Sequence, residues 1–202
     1  MKKKISFLSP TFNSEAWIVR MLDSIPKEDA YEIVICDDGS TDKTLTLLKN
    51  YQKHCPKLRI LENRKNTGAG HAYNRCLDEA TGDYVAIIDS DDYYLPAIRE
   101  VLAQVDGRYD IYYYNMVTRL GKILEKKSTD DPYRKSGQFK IIRRSFIGDS
   151  RFGTQGPVPG DVHFHKLLFD KKPACKYTGI VAYWYNYPRE GSETHIYRNR
   201  KK

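Results

Sequence analysis

Short apolar runs alternate with amphipathic stretches through the first half of the chain, and the period of each stretch names its element. Ile5 to Leu8, Glu32 to Cys36, Leu58 to Leu61 and Tyr84 to Ile88 are brief and rich in aliphatic, β-branched or aromatic residues. Runs of that length predict strands rather than buried helices. Between them, Trp17, Ile18, Met21, Leu22 and Ile25 recur at helical spacing, with Ser14 as the candidate N-cap and Pro26 as the stop. Asp42 to His54, with Leu45, Leu47, Leu48 and Tyr51 on its apolar side, predicts a second helix. Ala72 to Ala80, closed by Gly82, predicts a third. The resulting β-α-β-α-β-α-β order predicts a parallel sheet with right-handed crossovers, in which Tyr84 to Ile88 is a central, fully buried strand. Ligands of such sheets gather at the carboxyl ends of the strands. Thr11, Asp38 and the acidic run Asp89 to Asp92 all fall at those ends.

Composition adds little to the fold but narrows the partners. A chain of 202 residues with 40% hydrophobic and 30% charged positions suits one domain, 1–202, with a real core. The net charge of +8 favours polyanions: phosphates, nucleic acid or an anionic membrane surface. Nucleic acid has the charge alone in its favour and no supporting motif, so it is not an expected partner. The basic termini, Lys2 to Lys4 and Arg198 to Lys202, predict solvated tails with at most weak peripheral contact to anionic lipid. No run reaches transmembrane length and no signal peptide precedes Ile5. Cys36, Cys55, Cys76 and Cys175 lack CxxC spacing and predict free thiols. The expected location is therefore cytoplasmic, extending to the inner face of the membrane.

The chemistry concentrates where the fourth apolar run meets Asp89, Ser90, Asp91 and Asp92. Carboxylates crowded at the mouth of a hydrophobic strand repel one another, and desolvation worsens the repulsion. Solvent or a bound cation must offset that charge. Oxygen ligands suit Mg²⁺ or Mn²⁺ sharing the site with phosphates, while a solvated acidic turn is the plainer alternative. No GxxxxGK[ST] occurs, and a GxGxxG starting at Gly68 fails because Tyr73 stands at its third glycine. The Asn66 to Gly70 turn instead leads into a helix whose N-terminus suits a phosphate.

Ser-Pro-Thr-Phe-Asn at Ser9 to Asn13, Asp-Asp-Gly-Ser-Thr-Asp-Lys-Thr at Asp37 to Thr44, Asn-Thr-Gly at Asn66 to Gly68 and Asp-Ser-Asp-Asp at Asp89 to Asp92 occur in order. Together they resemble the family-2 glycosyltransferases. Looser counterparts lie at Arg151 to Gly153, Gly160 to Leu168 and Tyr183 to Thr194. The resemblance implies an α/β GT-A fold: a Rossmann-like, mostly parallel sheet flanked by helices. It forms a single domain with a nucleotide-sugar half over about 1–106 and a smaller acceptor half over about 107–202. It implies that Phe12 stacks on the nucleotide base beside Thr11, and that Asp38 hydrogen-bonds uracil or its equivalent. Asn66 and Arg189 belong to the donor site. Asp89 reaches the ribose or a metal, Asp91 holds the ion (Mn or Mg) and Asp92 supports them. Asp161 is the implied general base, with Asp149 as its fallback, because Gly160 replaces the family's usual acidic neighbour. The residues themselves also allow a core role for Phe12, a turn and cap for Asp37 and Asp38, and a helix cap for Asp161. The family's arginine is replaced by Tyr73, leaving Arg64, Lys65 or Arg75 to supply its charge. His71, His163 and His165 suit surface or packing roles. His195 is either a metal-reaching histidine or a tail residue. The aromatics Tyr109, Tyr112, Tyr113, Tyr114, Tyr183, Trp184, Tyr185 and Tyr187 suit packing for the most part, with sugar stacking as the second use.

The activity implied is inverting transfer of a sugar from a nucleotide-diphosphate donor, with UDP favoured, to a hydroxyl of a carbohydrate or lipid-linked acceptor, as in cell-surface polysaccharide synthesis. A sugar-phosphate nucleotidyltransferase would want a glycine- and lysine-rich signature that Ile5 to Asn13 lacks. A non-catalytic sugar-nucleotide-binding module is the non-enzyme alternative.

Overall fold

All four runs expected as strands lie side by side in one nine-stranded sheet. The computed structural model describes residues 3–125, 139–155 and 159–190. In chain order its elements are β1 (Ile5–Thr11), α1 (Ile18–Ser24), β2 (Ala30–Asp37), α2 (Thr44–Gln52), β3 (Leu58–Glu62), α3 (Ala69–Glu79) and β4 (Tyr84–Ile87). They continue with β5 (Tyr93–Tyr94), α4 (Ile98–Ala103), β6 (Ile111–Thr118), β7 (Ile123–Leu124), β8 (Lys140–Arg143), α5 (Arg144–Ile147), α6 (Gly160–Asp170) and β9 (Cys175–Tyr185). The strand order is β3-β2-β1-β4-β8-β6-β9-β5, with β7 on β6.

The β3-β2-β1-β4 half is parallel, as the alternating pattern predicts. β4 lies inside the sheet between β1 and β8, which explains why it is apolar at every position. Beyond it, β8 pairs antiparallel with both β4 and β6, and β9 runs parallel to β6. The second half thus extends the same sheet, and its tyrosines explain how. Tyr112, Tyr113, Tyr114 and Tyr183 are buried on β6 and β9, packing edge-on or stacked against neighbouring rings. Packing is the role the sequence favours for these tyrosines.

Element ends differ from the pattern for local reasons. Ser14 does not cap α1 with its side chain. Its carbonyl accepts the N–H groups of Trp17 and Ile18, both at 2.9 Å, while its hydroxyl bonds Phe12 O at 3.2 Å and Ser90 Oγ at 2.8 Å. α3 begins three residues earlier than Ala72, because Gly68 adopts φ 95°, a turn that side-chain-bearing residues resist. Gly82 is not its cap. A Cβ there would stand 2.5 Å from Ser6 Oγ, which accepts the Gly82 N–H at 2.9 Å. The same corner holds Glu32. Its carboxylate takes Ser6 Oγ (2.7 Å), Thr81 N (2.6 Å), Thr81 Oγ1 (2.9 Å) and Arg59 Nη1 (3.1 Å), tying β1, β2, β3 and the α3–β4 turn together. Cys36, Cys55, Cys76 and Cys175 are free thiols. No helix among the described residues is long and apolar enough to cross a membrane.

Candidate active site

The site forms where β1, β2 and β4 end. β1 delivers Thr11 and Phe12, and β2 delivers Asp37 and Asp38. Phe12 is 43% exposed, which excludes the core role its chemistry allowed. Beside it, Thr11 Oγ1 and Asp37 Oδ1 are buried and hydrogen-bonded to nothing, in residues only 2% and 1% exposed. Bare buried polar atoms are costly unless something fills the gap. Asp37 Oδ2 accepts the Ser40 N–H at 3.2 Å, so only one of its oxygens is spent on the turn.

Asp38 is the reverse. One oxygen takes Asn63 Nδ2 (2.5 Å), Thr67 Oγ1 (2.7 Å) and Thr67 N (3.0 Å), and the other takes Thr67 N (2.9 Å) and Gly68 N (2.8 Å). Burial alone would push its carboxyl up, but these hydrogen bonds outweigh it and hold the group below its ordinary value. Asp38 therefore ties the end of β2 to the turn that carries Asn66. Asn66 itself is exposed, and its Oδ1 accepts the Gly68 N–H at 3.0 Å.

At the end of β4, Asp89, Asp91 and Asp92 bring ligand-capable oxygens within 4.8 Å of one another. Each carboxylate is held differently. The Tyr73 hydroxyl donates to Asp89 Oδ1, and Arg189 Nε donates to Asp91 Oδ2 at 2.9 Å. Asp92, 1% exposed, accepts Tyr183 Oη at 2.7 Å and the Asn186 N–H at 2.8 Å. Burial first, then the charges of Asp89 and Asp91, push the Asp92 carboxyl well above the usual range despite those two donors. With both oxygens taken, Asp92 is a poor ligand and a good support. Asp89 and Asp91, hard oxygen donors at the open end of a strand, fit a divalent cation such as Mg²⁺ or Mn²⁺. The Arg20 guanidinium lies against Trp17, Tyr93 and Trp184 at 5.1, 4.7 and 5.0 Å and donates to the Asp91 carbonyl at 2.9 Å. With Arg189, it supplies cationic charge beside Asp91. Arg75 points elsewhere, to Glu62 O and Asn63 Oδ1, and Arg64 and Lys65 are exposed on the β3–α3 turn.

Asp161 occupies the first turn of α6, on the face that its i+3 and i+7 neighbours Phe164 and Leu168 bury. It is not the cap, a position Pro159 holds. Its Oδ1 accepts only the adjacent Val162 N–H at 2.8 Å. Gly160 explains the missing acidic neighbour, since a Cβ there would lie 2.4 Å from Gly153 O. Asp149, the fallback base, instead lines an open cavity of about 550 Å³ with Arg151, Thr154, Gln155 and His163. His163 therefore borders that cavity, His71 is exposed at the start of α3, and His165 is buried against Lys140. His195 lies outside the described residues. Arg20 has no signal in the sequence pattern, and the contacts of Tyr73, Tyr183 and Asn186 with the acidic cluster were not expected: Tyr73 reads as the replacement of the family's arginine, Tyr183 as a packing aromatic and Asn186 only as part of the loose Tyr183 to Thr194 counterpart. Asp37, noted as half of a turn and cap pair, was not expected to keep one buried oxygen without a partner.

A mostly parallel sheet flanked by helices, with an acidic cluster at the end of its central strand, is the architecture of an α/β protein of GT-A type. The chain belongs to glycosyl transferase family 2, whose model matches residues 6–172. Among curated relatives it is 42% identical over 96 residues to the poly(ribitol-phosphate) beta-glucosyltransferase of Bacillus spizizenii, covering 45% of this chain and 15% of that protein. It is 24% identical over 197 residues to glycosyltransferase GlyG of Streptococcus pneumoniae, covering 83% of this chain and 65% of the relative. Its fold matches Staphylococcus aureus TarS 1-349, solved in complex with UDP-GlcNAc, with a TM-score of 0.78 at 24% identity over 94% of this chain and 60% of that one. It likewise matches mannosyltransferase PcManGT from Pyrobaculum calidifontis, solved with GDP-Man and Mn²⁺, with a TM-score of 0.75 at 22% identity over 100% of this chain and 61% of the other. The chain thus spans less than two thirds of the length of each of these relatives.

Proposed function

We propose that this chain carries the transfer site of an inverting glycosyltransferase that uses a nucleotide-diphospho-sugar, with UDP as the nucleotide. The observation that carries the reading is the pairing of two features at one set of strand ends. The exposed Phe12 stands beside the buried, unpartnered Thr11 Oγ1 and Asp37 Oδ1 at the ends of β1 and β2, and the Asp89–Asp91–Asp92 cluster follows β4, the strand next to β1. A nucleobase supplies a flat face for the exposed Phe12 and an N–H for Asp37 Oδ1, a buried oxygen that it reaches only by displacing the atoms that cover it. The diphosphate then extends toward Asp91, where Arg189 and Arg20 bring positive charge. Asp38 serves indirectly by ordering the turn that presents Asn66. A divalent ion at Asp89 and Asp91, when bound, offsets the charge that builds on the departing diphosphate. Asp161 takes the proton from the acceptor hydroxyl as that oxygen attacks the anomeric carbon, a role worth roughly 10²–10⁴-fold in rate.

UDP is favoured because UDP-GlcNAc is the ligand in the TarS complex. A polyol-phosphate or glycan acceptor, and hence cell-surface polysaccharide synthesis, is favoured by the name of the Bacillus spizizenii relative. Thermal-shift screening of UDP-, GDP- and dTDP-sugars with and without Mn²⁺ tests the reading, since a ligand bound to the native state raises the melting temperature. UDP-sugars with Mn²⁺ should give the largest rise. No shift with any nucleotide, metal present or absent, would sink the proposal.

A further inference from the structure

We infer that Tyr73 is a positioning residue for the metal-side carboxylate Asp89, and that a column of stacked rings fixes it from the helix that carries Asp161. The inference rests on the glycosyltransferase reading above.

Tyr73 projects from the middle of α3 and is buried. Its ring stacks on Phe152 with centroids 4.4 Å apart and planes 14° apart, and Phe152 stacks in turn on Phe164 of α6 at 4.2 Å and 16°. Near-parallel rings on successive elements leave the phenol little freedom to swing. The middle ring is itself fastened, because the Asn74 amide exchanges two hydrogen bonds with the Phe152 backbone. Nδ2 donates to Phe152 O at 3.0 Å, and Oδ1 accepts the Phe152 N–H at 2.8 Å. Gly70, Gly153 and Gly160 let the three backbones touch. A Cβ on Gly70 would lie 2.3 Å from Gly153 O, and one on Gly160 would lie 2.4 Å from the same atom. α3, the 151–155 segment and the start of α6 therefore behave as one body, and the Tyr73 hydroxyl donates from that body to Asp89 Oδ1.

The hydroxyl matters because of where Asp89 sits. Two other carboxylates have oxygens within 4.8 Å of its own, so the direction in which the Asp89 carboxyl is held decides whether the three converge. A hydroxyl donated to a carboxylate is a strong, directional hydrogen bond. A phenol is also neutral. It orients Asp89 without adding a positive charge against that carboxylate. Phenylalanine would fill the same space and stack equally well, so packing alone does not call for tyrosine.

The experiment measures UDP affinity by calorimetry with and without Mn²⁺ for the wild type, Tyr73→Phe and Phe152→Leu. Tyr73→Phe keeps the ring and removes the donor. It should weaken UDP binding in Mn²⁺ by about tenfold, the loss expected for one hydrogen bond to a charged group, while metal-free UDP affinity stays within about twofold. Phe152→Leu loosens the column and should shift the same ratio in the same direction. Equal losses with and without Mn²⁺ would show a packing role and overturn the inference, as would a Tyr73→Phe protein that binds like wild type in both conditions. A wild-type protein with no UDP binding, or with none enhanced by Mn²⁺, would overturn the glycosyltransferase reading or its metal, and this inference with them.

Discussion

At the scale of single residues, neighbouring aspartates with the same chemistry have opposite employment. Asp38 has both oxygens committed to Asn63, Thr67 and Gly68, whereas Asp37 keeps a buried oxygen bare. Asp38→Asn replaces one acceptor oxygen by a donor that faces N–H groups. It should cost about 1–3 kcal/mol of folding stability, as expected for a buried donor left unsatisfied. Asp37→Asn should leave the ligand-free melting temperature nearly unchanged and weaken UDP binding about tenfold or more. Urea unfolding and calorimetry on both variants read the two effects separately, and the opposite assignment of losses would return the base-binding role to Asp38. The sequence could place a carboxylate at the end of β2 but not choose between the pair. Successive side chains of a strand point to opposite sides, and only the turn from 63 to 68, folding back from β3, decides which side is already satisfied.

At the scale of elements, the junction of α3, the 151–155 segment and α6 sets where Asp161 stands. Gly160→Ala puts a methyl group 2.4 Å from Gly153 O, closer than any real contact, so one backbone must move. Overpacking of this kind typically costs about 1–3 kcal/mol. The shift should also displace the first turn of α6, lowering kcat for sugar transfer more than it raises KM for donor. A variant with wild-type stability and wild-type kcat would show that the junction has slack. In the sequence, Gly160 reads as a departure from the family's acidic pair and casts doubt on Asp161. The structure makes it a steric requirement: the helix approaches so closely that no side chain fits. Such a contact depends on how closely two stretches of backbone approach and leaves no local periodicity to read.

At the scale of the whole molecule, one buried carboxylate fastens the end of the sheet remote from the site. Burial pushes the Glu32 carboxyl up, but hydrogen bonds from Thr81, Ser6 and Arg59 outweigh it and hold the group below its ordinary value. A depressed folded-state value means that the stabilisation is fully present above the unfolded carboxylate pKa, roughly 4.3. It is lost as pH falls through the lower folded value. Glu32→Gln should therefore destabilise the protein by about 1–3 kcal/mol at pH 7, and the gap to wild type should narrow as the pH is lowered below about 4. Urea denaturation at several pH values measures it, and a gap that is constant with pH would remove the charge from the explanation.

Much of this protein was settled by order along the chain. Four short apolar strands separated by amphipathic helices leave a parallel sheet as the economical solution, and the polar residues that end those strands must gather on one side of it. Thr11, Phe12, Asp89 and Asp91 could be placed at those strand ends for that reason: each follows closely on an apolar run, so its position, though not its role, depends on local pattern alone. Antiparallel β8 between β4 and β6, the return of β9 beside β6, and the stacking of Tyr73 on Phe152 and Phe164 were decided only in three dimensions. The same holds for the partners of the acidic cluster. Tyr183, Asn186 and Arg189 reach Asp89, Asp91 and Asp92 across more than ninety residues of chain. Hydrophobic periodicity records which face of an element is buried. It does not record what that face meets, and hydrogen-bond satisfaction, close backbone approach and the orientation of a carboxylate all depend on what it meets.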